Sequence, residues 1–165
     1  MPTQLFQRIN LDLLMPEFRD PLFQLAANCK ARGVDYWASF GYRSFAQQDQ
    51  MHAAYLAGKG GKAAPAGLSA HNYGIAVDFI KNINFGADHL TPDWSTHSND
   101  ILGQEAEKLG FVWGAHFGDP PHVQYKGYVS GTELKPLLAV FNASAGPDLD
   151  RLSKVWDYIR AHHTL

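Results

Sequence analysis

The 165-residue chain holds a single cysteine, Cys29, so no intramolecular disulfide can staple it and the fold must rest on a core of its own. It has no strongly basic stretch. With 14 Lys and Arg against 16 Asp and Glu, a formal net charge of −2, counterion-release binding to nucleic acid has no footprint here. No apolar run approaches the roughly 18 residues of a spanning helix. Polar residues interrupt the opening MPTQLFQRINLDLLMPEF, so neither a signal-peptide core nor stable membrane association is expected. There is no internal repeat, and no His-Glu-x-x-His, which excludes the helical zincin class. GKGGKAA, residues 58–64, lacks the Gly-x-x-x-x-Gly-Lys-Ser/Thr spacing of a phosphate loop. What remains is an ordinary globular composition, 45% hydrophobic and 18% charged, in a chain long enough for one well-buried domain.

Helical spacing runs over 17–32, where Phe18, Leu22, Leu25, Ala26 and Cys29 recur at three- and four-residue steps until Gly33. Cys29 reads as a small apolar filler of that helix. VDYWASFGYR alternates as a strand ending near Gly41, and Ser44 is placed to cap a helix over 44–57. GKGGKAAPAGL is too rich in Gly, Ala and Pro for regular structure. A strand is expected over 73–80, a polar segment over 81–97, and a helix over 99–109 capped by Ser98. The short strands FVWG and HVQY bracket AHFGDPP, and helices at about 132–142 and 148–162 close the chain. The pattern predicts one α+β domain over residues 1–165.

Chemistry concentrates in SAHNYGIAVDF, Ser69 to Phe79. Fully extended, the seven residues from His71 to Asp78 would span roughly 23 Å. Ligands of one zinc, bonded at about 2.0–2.2 Å, must lie far closer. If the two share a metal the chain turns back between them, and Asn72-Tyr73-Gly74 is suited to that reversal. The alternative is a capping histidine and a surface carboxylate. A third candidate lies in WGAHFGDPPHVQY, where His122 opens a strand and Asp119 precedes it by three residues across a rigid Pro-Pro. A catalytic zinc needs three protein ligands, an open position, and a carboxylate that is not a ligand. His71, Asp78, His122 and Asp119 meet that need by type.

SAHNYGIAVD resembles the Ser-x-His-x-x-Gly-x-Ala-x-Asp signature of the zinc peptidases that include D-Ala-D-Ala carboxypeptidases and L-alanyl-D-glutamate endopeptidases. DPPH is similar to their second motif and GYRS, Gly41 to Ser44, to a third. The resemblance spans about 35–125. It implies a small, mostly antiparallel sheet carrying a Zn²⁺ site, with helices packed around it as in hedgehog-like folds. It also implies His71, Asp78 and His122 as the ligands, Asp119 as general base and acid, and Arg43 as the partner of a developing oxyanion or of a substrate carboxylate. Ser69 and Gln124 are weaker candidates for supporting the ligands or the substrate. His116 is the rival ligand. His89 and His97 read as solvated, and His162 and His163 as helix-end groups. Arg43 has the alternative of a surface salt bridge, and the four tryptophans are core or cleft wall.

The expected function is hydrolysis of the peptidoglycan stem peptide at L-Ala–D-Glu, as in phage endolysins and bacterial autolysins, by a monomer. D,D-carboxypeptidase or dipeptidase action on D-Ala-D-Ala ends is the alternative. A non-catalytic, hedgehog-like zinc module is the rival from another class. Without a signal peptide, the enzyme is expected to be made in the cytoplasm and to act on the wall after release.

Overall fold

A computed structural model describes residues 3–162; His163 lies outside them. Five α-helices surround one antiparallel sheet: α1 (Pro16–Ala31), α2 (Phe45–Leu56), α3 (Asp100–Lys108), α4 (Gly131–Ala143) and α5 (Asp148–His162). The strands are β1 (Asp35–Phe40), β2 (Ala76–Asn82), β3 (Pro92–Asp93), β4 (Val112–Trp113) and β5 (His122–Gln124). Their order is β1-β2-β5-β4, with β3 paired to the end of β2. This is the α+β, antiparallel architecture expected from the sequence.

Phe18, Leu22, Leu25, Ala26 and Cys29 form the buried face of α1, and Pro16 starts the helix where its missing N–H costs nothing. Burial pushes the Cys29 thiol up to about 12, consistent with a packing role. Phe18 meets Phe111 edge-on at 5.4 Å, and Phe6 meets Phe79 of β2 at 6.1 Å. Each such fully buried side chain contributes about 1.5–3 kcal/mol. Trp37 and Trp156 belong to this core, whereas Trp94 is exposed.

Three local expectations are corrected. The 73–80 strand starts later, because Ala70–Tyr73 is a 3-10 turn and Gly74 takes a left-handed conformation, φ 67°. A side chain at Gly74 would also meet the Leu13 carbonyl oxygen at 2.2 Å, so both backbone angle and space require glycine. Asn99, not Ser98, occupies the N-cap position of α3, without a side-chain capping bond; Ser98 Oγ donates to Asn99 Oδ1 at 3.1 Å and Asn99 Nδ2 donates to the Phe79 carbonyl at 3.1 Å. The polar 81–97 segment contains β3, held to β2 by the pairs Lys81↔Asp93 and Asn82↔Pro92. By contrast Ser44 caps α2 with a reciprocal capping box to Gln47.

Register places the site. Asp78 pairs with His122 across β2 and β5, so the two side chains leave the same face of the sheet. The turn before β2 returns His71 to that face. It is pinned from outside by Met15 N–H donating to the Gly74 carbonyl at 2.9 Å and by Trp156 Nε1–H donating to that of Tyr73 at 2.8 Å.

Candidate metal centre

The GYRS segment and the first motif are stitched together through the backbone. Arg43 N–H donates to the His71 carbonyl at 3.0 Å, and Asn72 Nδ2 donates to the Arg43 carbonyl at 2.8 Å. Asn72 Oδ1 in turn accepts from the backbone N–H groups of Gly67 and Ser69. Ser69 Oγ accepts from His71 N–H at 3.3 Å, which caps the turn carrying the histidine.

Both imidazoles are oriented from behind. His71 Nδ1 lies 2.8 Å from the Gly41 carbonyl and His122 Nε2 lies 2.7 Å from Gln124 Oε1. Those oxygens only accept, so each of these nitrogens carries the proton of the neutral ring. The amide of Gln124 is itself fixed by donation to the Gly127 carbonyl at 2.8 Å. The opposite nitrogens, His71 Nε2 and His122 Nδ1, therefore present lone pairs, and both point at Asp78 Oδ1, at 3.2 and 3.3 Å. Two lone pairs facing a carboxylate repel unless a cation or an added proton lies between them. Atoms bound to one tetrahedral zinc at about 2.0–2.1 Å sit roughly 3.3 Å apart, which matches both separations. One ligand atom from each of the three residues lies within 4.8 Å of the others, and among the described residues no other group of His, Cys, Asp and Glu converges in this way.

The electrostatics agree with the geometry. Burial works against ionisation of Asp78, but His71 and His122 outweigh it and hold the carboxyl well below its usual range. Burial would likewise lower the pKa of His122, yet its bonds to Asp78 and Gln124 raise it.

Asp119 stands apart from the three. Its Oδ2 is 3.8 Å from His122 Nδ1 and its side chain is 52% exposed. Burial first, and then the charge of Asp78, push its carboxyl above the usual range, with His122, His71 and Arg43 opposing. The loop that delivers it turns tightly: Asp119 N–H donates to the Gly114 carbonyl at 2.8 Å, and His122 N–H to that of Asp119 at 3.1 Å. A Cβ on Gly114 would come within 2.3 Å of the Asp119 carbonyl oxygen and 2.6 Å of His122 Cβ. His116 is not brought to the cluster. It pairs with Glu107 and packs edge-on against Trp113.

Arg43 donates from Nη1 to Gln48 Oε1 at 3.0 Å, and Gln48, 1% exposed, donates to the Ala64 carbonyl at 2.7 Å. Burial lowers the pKa of Arg43 while Asp78 and Asp119 raise it. Its guanidinium stays charged. Gln48 holds that charge in place without neutralising it. The guanidinium borders a groove of about 360 Å³ shared with Phe40, Gly41 and Met51.

Sequence reading passed over Gln48 and took Asn72 only as part of the reversal, not as the side chain that ties the first motif to Arg43. The sequence marks Gln48 only by its place four residues after the Ser44 cap; that it is the buried residue of α2 appears in the structure alone. The Gly41 carbonyl has no such mark, because a backbone acceptor is invisible to residue type.

Residues 12–127 match the family described as VanY, D-alanyl-D-alanine carboxypeptidase. The peptidoglycan L-alanyl-D-glutamate endopeptidase CwlK of Bacillus subtilis (strain 168) is 32% identical over 125 residues, covering 70% of this chain and 73% of that protein. In fold, the chain is similar to VanYB in complex with D-alanine-D-alanine (TM-score 0.51, 21% identity, 81% of this chain and 84% of that one). It is also similar to the LD-carboxypeptidase LdcB (TM-score 0.50, 22% identity, 86% and 68%). The matched segment contains the His-Asp-His cluster together with Arg43 and Asp119, and the chain belongs to the VanY D-alanyl-D-alanine carboxypeptidase family.

Proposed function

We propose that this protein is a zinc-dependent peptidoglycan peptidase that cleaves the stem peptide between L-Ala and D-Glu. One observation carries the metallopeptidase reading: two imidazole lone pairs and a carboxylate converge on one point, flanked by a half-exposed carboxylate and a fixed guanidinium. The choice of bond is supported by the similarity to CwlK.

His71, Asp78 and His122 would hold the zinc, and the donor set of two neutral nitrogens and one carboxylate suits it. When bound, the ion supplies a Lewis acid that polarises the scissile carbonyl and makes water a nucleophile at neutral pH. Asp119, with its carboxyl pushed up toward the operating range, takes the proton of the attacking water and returns it to the leaving amine. Arg43 directs its donor fork at the developing oxyanion or at a substrate carboxylate, and Gln48 keeps the fork aimed. Gln124 and the Gly41 carbonyl fix the ring planes of the two histidines. A non-catalytic zinc module has no use for Asp119 or for a charge held by a neutral amide.

The enzyme acts as a monomer, accumulates in the cytoplasm and meets its substrate after the membrane is breached. Among the described residues no helix is long and apolar enough to cross a membrane. A second reading, removal of terminal D-Ala, is favoured by the family's description. Mass spectrometry of purified muropeptides after digestion separates the two. Fragments that begin at D-Glu are expected; loss of D-Ala alone overturns the choice of bond in favour of the second reading.

A further inference from the structure

Behind His122, hydrogen bonds continue past Gln124 to the start of α4. His122 Nε2–H donates to Gln124 Oε1 at 2.7 Å, and Gln124 Nε2 donates to the Gly127 carbonyl at 2.8 Å. That carbonyl belongs to the same peptide unit as Tyr128 N–H, which donates to Glu133 Oε2 at 3.0 Å. Imidazole, side-chain amide, peptide and carboxylate thus form one line. Each amide in it presents its oxygen toward the ring and its N–H toward the carboxylate.

The turn that makes this link is held against its own preference. Gly127 and Tyr128 are successive left-handed residues, with φ 87° and 58°. Glycine enters that region freely and tyrosine rarely does. Such a conformation persists only where its surroundings over-determine it. Here both ends of one peptide are tied: Gln124, 3% exposed, takes the carbonyl, and Glu133 takes the N–H. Helix capping does not account for the second tie. Ser130 N–H and Oγ–H both donate to Glu133 Oε1, at 3.2 and 3.0 Å, so the capping box of α4 is complete through that oxygen. Oε2 is given to the turn instead. Bonds from Ser130 first, and then from Tyr128, hold the Glu133 carboxyl below its usual range against a contrary effect of burial. Its charge is present at neutral pH.

We propose that Glu133 is a positioning residue for the metal ligand His122, acting through the Gly127–Tyr128 peptide and Gln124, an inference that rests on the zinc reading of that centre. A metal-bound histidine commonly donates its outer N–H to a carboxylate, which fixes the ring and raises its basicity. In this protein the carboxylate stands at the surface and two amides carry its influence inward. Hydrogen bonds joined end to end polarise one another. The charge of Glu133 therefore strengthens Gln124 Oε1 as an acceptor, draws on the Nε2 proton, and makes His122 Nδ1 the better donor to a cation. The site gains this without burying a further carboxylate beside Asp78.

The test is Glu133→Gln, which keeps the shape of the side chain and removes its charge. Two quantities are read: the zinc dissociation constant by chelator competition, and the NMR shift of the His122 Nε2 proton in protein carrying isotope-labelled histidine, with and without zinc. Affinity should fall about threefold at neutral pH, less than the roughly 10–100-fold of a direct outer partner. The proton should move upfield as its hydrogen bond weakens. In a Gln124→Leu background the line is already cut, so the same change should leave affinity unaltered. Ser130→Ala controls for the helix, because it removes the hydroxyl of the capping box and spares the bond to Tyr128. It should lower the melting temperature and leave both quantities in place. A Glu133→Gln variant with wild-type affinity and an unmoved proton overturns the proposal. So does an equal loss with and without Gln124, or a loss that Ser130→Ala reproduces. If the wild type takes up no zinc while the His122 proton still responds to Glu133→Gln, the zinc reading falls and the link from Glu133 to His122 stands.

Discussion

His71, Asp78 and His122 sit on hydrogen-bonded strands and a pinned turn, are largely buried, and have each outer ring nitrogen held by an acceptor. Asp119 and Arg43 sit above them on connecting segments: one half-exposed before a Pro-Pro, the other between the end of β1 and the start of α2. The buried floor has the construction of a binding site, in which small displacements weaken metal affinity. The rim has the construction of a reacting site, where groups must meet solvent and substrate and exchange protons. Two carboxylates show the division most clearly. Asp78 and Asp119 face the same His122, yet their surroundings push their pKa values in opposite directions.

If that division holds, floor and rim variants differ in kind. His71→Ala, Asp78→Ala and His122→Ala should each lose both stoichiometric zinc and measurable hydrolysis, the largest effects in the molecule. Metal analysis on folded protein checks this, and a His122→Ala variant that kept its zinc would return His116 to consideration. Asp119→Asn should keep the metal and the fold while turnover falls about 10²–10⁴-fold. Near-wild-type turnover in that variant would erase the distinction between the two carboxylates.

Arg43 should follow, with a loss of about 10²–10³ in kcat for Arg43→Ala if its donors meet the oxyanion. A ground-state anchor would instead raise KM, and only for substrates with a free carboxylate. Arg43→Lys keeps charge without the fork and should recover part of either effect. Kinetics on free and amidated stem peptides distinguish the two roles, and unchanged kinetics in both variants would reduce GYRS to a strand end.

The contrast between floor and rim also explains what could be read in the sequence. Helix α1 was legible because Phe18, Leu22, Leu25 and Cys29 obey a period that depends only on neighbours in the chain. The ligands were legible by type and by motif. Their convergence was not, because it depends on the Asp78↔His122 register and on Trp156 and Met15, which secure the turn from 83 and 59 residues away. Local rules also misplaced the start of β2. Tyr73 has a strand-like neighbourhood, but Gly74 in the left-handed region ends a 3-10 turn there. Ser98 seemed the natural cap of α3 by residue preference, but the helix starts one residue later, with Asn99 at the N-cap position and the Ser98 hydroxyl donating to its Oδ1.

The smallest expected effect belongs to the support beneath the floor, and its pH dependence tests the whole account. Gln124→Leu removes the acceptor of His122 Nε2–H without touching the metal-facing nitrogen. Losing such an outer partner should weaken zinc affinity about 10–100-fold at neutral pH, with little change in kcat once the metal is saturating. Zinc binds only the unprotonated ring, so affinity must fall on acidification. Because Asp78 and Gln124 together raise the pKa of His122 despite its burial, that fall should begin above the ordinary imidazole value of about 6.5. Without the Gln124 bond, one of the raising influences is gone, and the acid limb should move to lower pH even as the neutral-pH affinity drops. Zinc dissociation constants measured by chelator competition between about pH 5 and 8 give both quantities. An affinity curve that keeps its position and height in Gln124→Leu would mean that the ring is held by Asp78 and the strand alone.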